Sequence, residues 1–205
     1  MKEKKLSKAA QKRKEEFEEL TQNLIAQGYQ AKVLSIGAIE ANVFSLFVTV
    51  PFIIVYLVLY WIAGNSFYME QVEFYIGLLV FLVLIVAHEL IHGITFSFMV
   101  ENGWKSISFG FSLEGLMPYC TCNQPMKKKQ MIISALMPTI FLGFLPGIAA
   151  IMNGSFFLLF VAMLMIIGGG GDFLIIINLL RYKSSAKEVI FIDHPYEIGT
   201  AVFER

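Results

Sequence analysis

The sequence predicts an all-α membrane protein with about four transmembrane helices and a short cytoplasmic β-hairpin or strand between the second and third. Of its 205 residues, 57% are hydrophobic and only 16% are charged, whereas about a quarter of the residues of a soluble domain are charged. The hydrophobic residues are also gathered into long runs, as expected of helices that cross a bilayer.

Four apolar runs are each long enough to span a bilayer as a helix. They cover residues 41–63, 74–100, 131–152 and 155–180, and each exceeds the roughly 20 residues that cross a hydrocarbon core of about 30 Å. Pro51 predicts a kink or a break in the first run, because proline lacks a backbone N–H. Gly143 and Gly147 in the third run have a spacing that allows a close approach to another helix.

The positive charges lie in three segments. All 16 Lys and Arg residues fall within residues 1–40, 101–130 or 181–205. By the positive-inside rule, we expect both termini and the middle loop to be cytoplasmic in a cell membrane. The chain is thus divided into a charged N-terminal arm (1–40), a four-helix membrane domain (41–180) that includes loop 101–130, and a C-terminal tail (181–205). The zero net charge does not indicate nucleic-acid binding.

The two terminal segments carry few further signals. The first 20 residues are typical of a solvated charged helix or a disordered arm, with contact to the membrane surface as the alternative. Gly28 is expected to end this helix. Residues 30–40 mix helical and strand-like spacing, which leaves their form open.

The middle loop contains a strand pattern. Between Ser106 and Leu113, large apolar residues alternate with Ser and Gly, a period of two that predicts a strand with one buried face. The chain can return through residues 117–122, which include Cys120 and Cys122. These cysteines are expected to be free thiols in the reducing cytoplasm. The loop is either a cap over the helix ends or an edge that receives an extended substrate by strand addition.

Three ionisable residues interrupt the second apolar run, namely His88, Glu89 and His92. On a helix the two histidines stand one turn apart on one face, so both imidazoles can bind one zinc ion, while Glu89 projects beside them toward a water at the metal. Burying such groups in a membrane is costly and usually marks function.

Asp172 is the best candidate for a third ligand, because a catalytic zinc site needs three protein ligands and an open position. It follows four glycines, residues 168–171, which would let its helix pack closely or unwind. At 1.5 Å per residue, His88 lies about 21 Å and Asp172 about 24 Å along their helices from the outer surface, so their depths agree. Glu114 is the rival third ligand. His194 is interpreted as a solvent-facing residue of the tail.

These residues resemble a family of bacterial membrane proteins described as putative zincin peptidases and, more distantly, intramembrane metalloproteases of the site-2 protease type. The first resemblance rests on the motif 88–93, the loop 109–120, Met137-Pro138, the Gly-Gly-Asp sequence at 170–172 and Asp193-His194-Pro195. The second implies zinc held by His88, His92 and Asp172, with Glu89 as the catalytic acid and base. The Asn-x-x-Pro stretch that precedes the aspartate of that type is absent here.

The sequence therefore predicts a zinc-dependent metalloendopeptidase that cleaves membrane-spanning or membrane-associated polypeptides. Two other hypotheses use the same residues. Intramembrane His, Glu and Asp also suit a pathway for a divalent metal ion, and the histidines could instead bond to neighbouring helices in a structural membrane protein.

Overall fold

The computed structural model describes residues 8–112, 117–195 and 199–205. The described helices are α1 (Lys8–Ala26), α2 (Ala38–Ile62), α3 (Gln71–Met99), α4 (Lys128–Thr139), α5 (Leu145–Asn153), α6 (Phe156–Gly168) and α7 (Gly170–Arg181). The described strands are β1 (Gln30–Ser35), β2 (Ile107–Ser112), β3 (Met117–Cys122), β4 (Val189–Asp193) and β5 (Gly199–Glu204).

Among the described residues, three helical stretches are long and apolar enough to cross a membrane: residues 42–62, 71–99 and 128–153. The third comprises α4, a π-helical turn at Ile140–Phe144 and α5. Helices α6 and α7 form a fourth if they are counted as one span, bent by 46°. The prediction of about four spans agrees with this range. Helix α2 continues through Pro51, so the predicted break is absent.

Glycines allow the bent pair to pack against its neighbours. A Cβ atom on Gly169 would lie 2.1 Å from Oγ1 of Thr139 in α4, and one on Gly170 would lie 2.6 Å from Cβ of Ser45 in α2. A side chain at position 170 would push against the backbone of α2, and one at position 169 would displace the hydroxyl of Thr139. The glycine run predicted to allow close packing or unwinding therefore coincides with both a bend and two close helix contacts.

A three-stranded antiparallel sheet, in the order β1-β5-β4, lies outside the bundle. Helix α1 packs on it through an apolar face, so the helix is not the solvated arm expected from its charge. That interface includes the buried residues Leu24, Tyr29, Ile192, Ala201 and Phe203. The all-α prediction is therefore too simple, because it omitted this sheet. Gly28 adopts a φ of 91° just after α1 ends, as expected of a terminating glycine.

The sheet is attached to the bundle at the start of α4. Met126 and Phe191 of β4 exchange two backbone hydrogen bonds, of 2.8 and 2.9 Å. Both side chains are buried in a cluster that also contains Phe96 of α3, Cys122 of β3 and Leu179 of α7. This cluster fixes the position of the sheet relative to the helices.

Strands β2 and β3 form the antiparallel pair predicted between the second and third spans, with Phe109 opposite Cys120. The expected buried face of β2 is only partly buried, because Phe109 and Phe111 remain 48% and 57% exposed. Phe109 packs on α3 beside Gly93, where an added Cβ would lie 2.5 Å from its ring. Gly93 therefore lets the hairpin lie directly against the helix that carries the histidines.

Candidate metal centre

His88 and His92 lie on the same face of α3, as their spacing predicts. Their Nε2 atoms are 3.1 Å apart, and both residues are only 7% exposed. Helix α3 packs against α4 and α6, and the two buried imidazoles point into the bundle.

Asp172 enters the same space from α7. Its Oδ2 lies 3.1 Å from Nε2 of His88, and its Oδ1 lies 3.3 Å from Nε2 of His92. The residue stands in the first turn of α7, where the N–H groups of a helix favour a negative charge. Helix α7 begins after the bend at Gly168, at the depth of the histidines. Asp172 reaches them from the first turn of α7.

The three side chains fit a zinc ion. Among the described residues, they form the one group of three or more His, Cys, Asp or Glu whose ligand atoms lie within 4.8 Å of one another. Zinc bonds of about 2.0–2.1 Å in a tetrahedral arrangement place ligand atoms roughly 3.3 Å apart. The closest observed separations, 3.1 to 3.3 Å, match that value. Two nitrogens and one carboxylate form a typical ligand set for catalytic zinc.

A main-chain carbonyl orients one of the histidines. Nδ1 of His92 lies 2.9 Å from the carbonyl oxygen of Ser134 in α4. A carbonyl only accepts hydrogen bonds, so Nδ1 carries the proton and Nε2 is left with a free lone pair facing His88 and Asp172. Ligating histidines commonly donate their other N–H in this way. Sequence reasoning missed Ser134, since a hydrogen bond to a main-chain carbonyl has no signature in the side chain.

Glu89 lies beside the histidines, next to β3. The backbone amide of Cys120 donates a hydrogen bond to its carboxylate. In the hairpin, the amide of Asn123 bonds to the carbonyl of Ser106, and the alternation of an antiparallel ladder then turns the amide of Cys120 away from β2. The edge of β3 opposite β2 therefore faces Glu89.

A further carboxylate, Asp193 at the end of β4, lies near the centre. It accepts a hydrogen bond from the backbone amide of Cys122, and burial together with the negative charges of Asp172 and Glu89 raises its pKa to about 7. Its location was not predicted, because β4 pairs with β5, a strand that the sequence did not reveal. Asp193 stabilises the end of β3 at the edge that faces the site.

The other sequence candidates within the described residues do not join the cluster. Glu114 lies outside the described residues. Cys120 and Cys122 are free thiols, and burial raises the pKa of both, that of Cys122 to about 11, which disfavours the thiolate that zinc requires. His194 was expected to face solvent, but it is only 5% exposed because Phe17 of α1 packs against its ring.

Comparison with known families identifies the chain. The sequence model of one family, described as "Putative zincin peptidase", matches residues 81–187, just over half of the chain. The chain belongs to this zincin peptidase family. The matched region contains His88, Glu89, His92 and Asp172, together with the hairpin, so the family assignment and the clustered residues coincide. Comparison with curated proteins and with solved structures gives no significant match.

Proposed function

We propose that the protein is a membrane-embedded zinc metallopeptidase that hydrolyses peptide bonds in membrane-spanning or membrane-associated polypeptides. The observation that carries this proposal is the convergence of His88, His92 and Asp172, whose ligand atoms lie within 4.8 Å of one another. Membership in the zincin peptidase family supports peptide hydrolysis. The long apolar helices that carry these residues support a location within the membrane.

Each polar residue has a distinct role in this proposal. His88, His92 and Asp172 hold the metal, which when bound supplies a Lewis acid for the scissile carbonyl and lowers the pKa of a water. Glu89 takes a proton from the attacking water and returns it to the leaving amine. Because Glu89 is one residue from His88 on α3, its carboxylate adjoins the ligands without being one of the three.

The edge of β3 is the proposed binding surface for the substrate. An extended polypeptide that added to this edge would accept a hydrogen bond from the amide of Cys120. In the structure this amide bonds to Glu89. Strand addition satisfies main-chain groups of the substrate and holds its peptide bonds in an extended form. A helical substrate would have to unwind first, because its carbonyls are otherwise bonded within the helix.

The proposed orientation follows the distribution of charge. Lys and Arg are confined to residues 1–32, 105–129 and 181–205, so we place the N-terminal segment, the hairpin loop and the C-terminal sheet on the cytoplasmic side of a cell membrane. The metal centre would then open toward the cytoplasm, from which water reaches it.

The decisive experiment compares the wild type with Glu89→Gln, each reconstituted with zinc in liposomes. Single-span membrane proteins and unfolded β-casein serve as probes, and cleavage is followed by mass spectrometry. We expect zinc-dependent cleavage by the wild type, none by Glu89→Gln, and equal zinc content in both. Glutamine matches the size of glutamate but cannot accept the proton, so loss of cleavage with retained zinc isolates the proposed role.

Metal transport is the principal competing outcome. If the wild type cleaves no probe and carries zinc into liposomes that enclose a zinc-sensitive dye, the residues form a transport pathway and the peptidase proposal is wrong. Cleavage that continues unchanged in Glu89→Gln would also contradict the assigned mechanism.

A further inference from the structure

A proline in α4 accounts for the carbonyl that orients His92. Within a regular α-helix, each carbonyl accepts a hydrogen bond from the N–H four residues later. Residue 138 is a proline inside α4, so the carbonyl of Ser134 has no N–H partner at that position. Nδ1 of His92 lies 2.9 Å from this carbonyl oxygen.

We propose that Pro138 is a positioning residue for the metal centre. By removing one helical N–H, it reserves the carbonyl of Ser134 for His92 and so fixes the tautomer in which Nε2 is free to bind a metal ion. This inference rests on the proposed metal site and deepens it, because it assigns the orientation of one ligand to a residue that touches neither metal nor substrate.

The surroundings of the contact strengthen this assignment. Ser134 is fully buried and His92 is 7% exposed, so no water competes for the carbonyl, and a buried imidazole N–H without a partner would be costly. Pro138 is itself buried, next to the helix that carries His92. Pro51 in α2 is also inside a helix, but it is exposed, and it therefore provides a matched control.

The proposal predicts opposite effects on stability and on metal binding. Pro138→Ala restores an N–H that competes for the carbonyl of Ser134 and turns it toward the helix axis. Losing a partner of this kind typically weakens metal affinity about 10–100-fold. The same change removes a helix-breaking residue and restores a helical hydrogen bond, which offsets the cost of the unpaired imidazole N–H, so the zinc-free variant is expected to unfold at the same temperature as the wild type or higher.

The test measures zinc dissociation constants by competition with a fluorescent chelator, and thermal unfolding of the zinc-free proteins in detergent. We expect at least about a tenfold weaker affinity in Pro138→Ala and an unchanged affinity in Pro51→Ala. Lactic acid incorporated at position 138 replaces the N–H with an ester oxygen and also lacks the proline ring. This version is expected to bind zinc as tightly as the wild type.

Each outcome bears on a separate claim. Equal zinc affinity in the wild type and Pro138→Ala overturns the role of Pro138 and leaves the metal site intact. Equal weakening by alanine and lactic acid overturns it too, because the proline ring and not the missing N–H would then matter. If the alanine variant does not fold, weaker zinc binding by the lactic acid version than by the wild type overturns the proposal for the same reason. A wild type that binds no zinc overturns both this inference and the proposed function.

Discussion

Nε2 of His88 lies 3.1 Å from Oδ2 of Asp172, although 84 residues separate them in the chain. The two atoms approach because α3 and the bent pair α6–α7 place them at the same depth in the bundle. Neutral imidazole and carboxylate groups buried together without water need a shared partner, a proton or a metal ion. With His92 completing the group, a metal ion satisfies all three at once.

Removing one of these ligands is expected to abolish tight zinc binding. A site with three protein ligands loses a third of them in His88→Ala or Asp172→Ala, whereas Glu89→Gln leaves all three in place. Elemental analysis should find about one zinc per chain in the wild type and in Glu89→Gln, and little in the two alanine variants. Stripping the metal with a chelator should lower the unfolding temperature only of the proteins that bind it. Normal zinc content in Asp172→Ala would move the third ligand elsewhere, with Glu114 as the next candidate.

The proximity of His88, His92 and Asp172 could be predicted because their signals are local or follow from simple geometry. Two histidines four residues apart share a helix face, and counting residues from the membrane surface gave His88 and Asp172 similar depths. The groups around them carry no such signal. Ser134 acts through its main chain, and Asp193 reaches the site from β4, whose sheet is completed by β1, far away in the sequence.

The three-stranded sheet was missed for a related reason. Gln30 of β1 pairs with Glu204 of β5, so the pairing joins the two ends of the chain and leaves no periodic pattern that a short window can detect. Residues 30–40 were ambiguous, and only the pairing with β5 decides the form of residues 30–35. The packing of the apolar face of α1 could not be predicted either, because the sequence does not reveal the sheet that covers it.

The packing of α1 on this sheet can be tested with two neighbouring residues. Leu24 is 7% exposed, whereas Ile25 is 53% exposed. Leu24→Ala should lower the free energy of unfolding by about 2–4 kcal/mol, because it leaves a cavity in the interface. Ile25→Ala, the control, should change it by less than about 0.5 kcal/mol. Thermal unfolding followed by tryptophan fluorescence measures both, and equal effects would mean that α1 does not pack as described.

The close approach of α5 to α2 provides a second test of packing. A Cβ atom on Gly147 would lie 2.4 Å from the ring of Tyr56, whose hydroxyl donates a hydrogen bond to the carbonyl of Phe144. Gly147→Ala should therefore destabilise the protein by about 1–3 kcal/mol, since the ring must move. At Gly168 an added Cβ would make an ordinary contact of 3.6 Å with Phe81. Gly168→Ala is thus expected to be neutral or slightly stabilising. Similar unfolding temperatures for the two variants would argue against the tight contact.

Asp193 is expected to make stability depend on pH in the metal-free protein. Its pKa is about 7 in the folded state and about 3.9 in the unfolded chain. Between these values the folded state holds a proton that the unfolded state has released. Stability should therefore fall as pH rises from about 4 to about 7, by at most about 4 kcal/mol, and the effect should level off above that range.

The variant Asp193→Asn isolates this contribution. Asparagine keeps a carbonyl oxygen that can accept the hydrogen bond from the amide of Cys122, but it has no proton to release. Unfolding temperatures of the zinc-free wild type and of the variant, measured from pH 4 to pH 8, should diverge as pH rises, with the wild type becoming the less stable of the two. Parallel curves would show that Asp193 is ionised across the range, and a divergence in the opposite direction would mean that its carboxylate is stabilised in the fold.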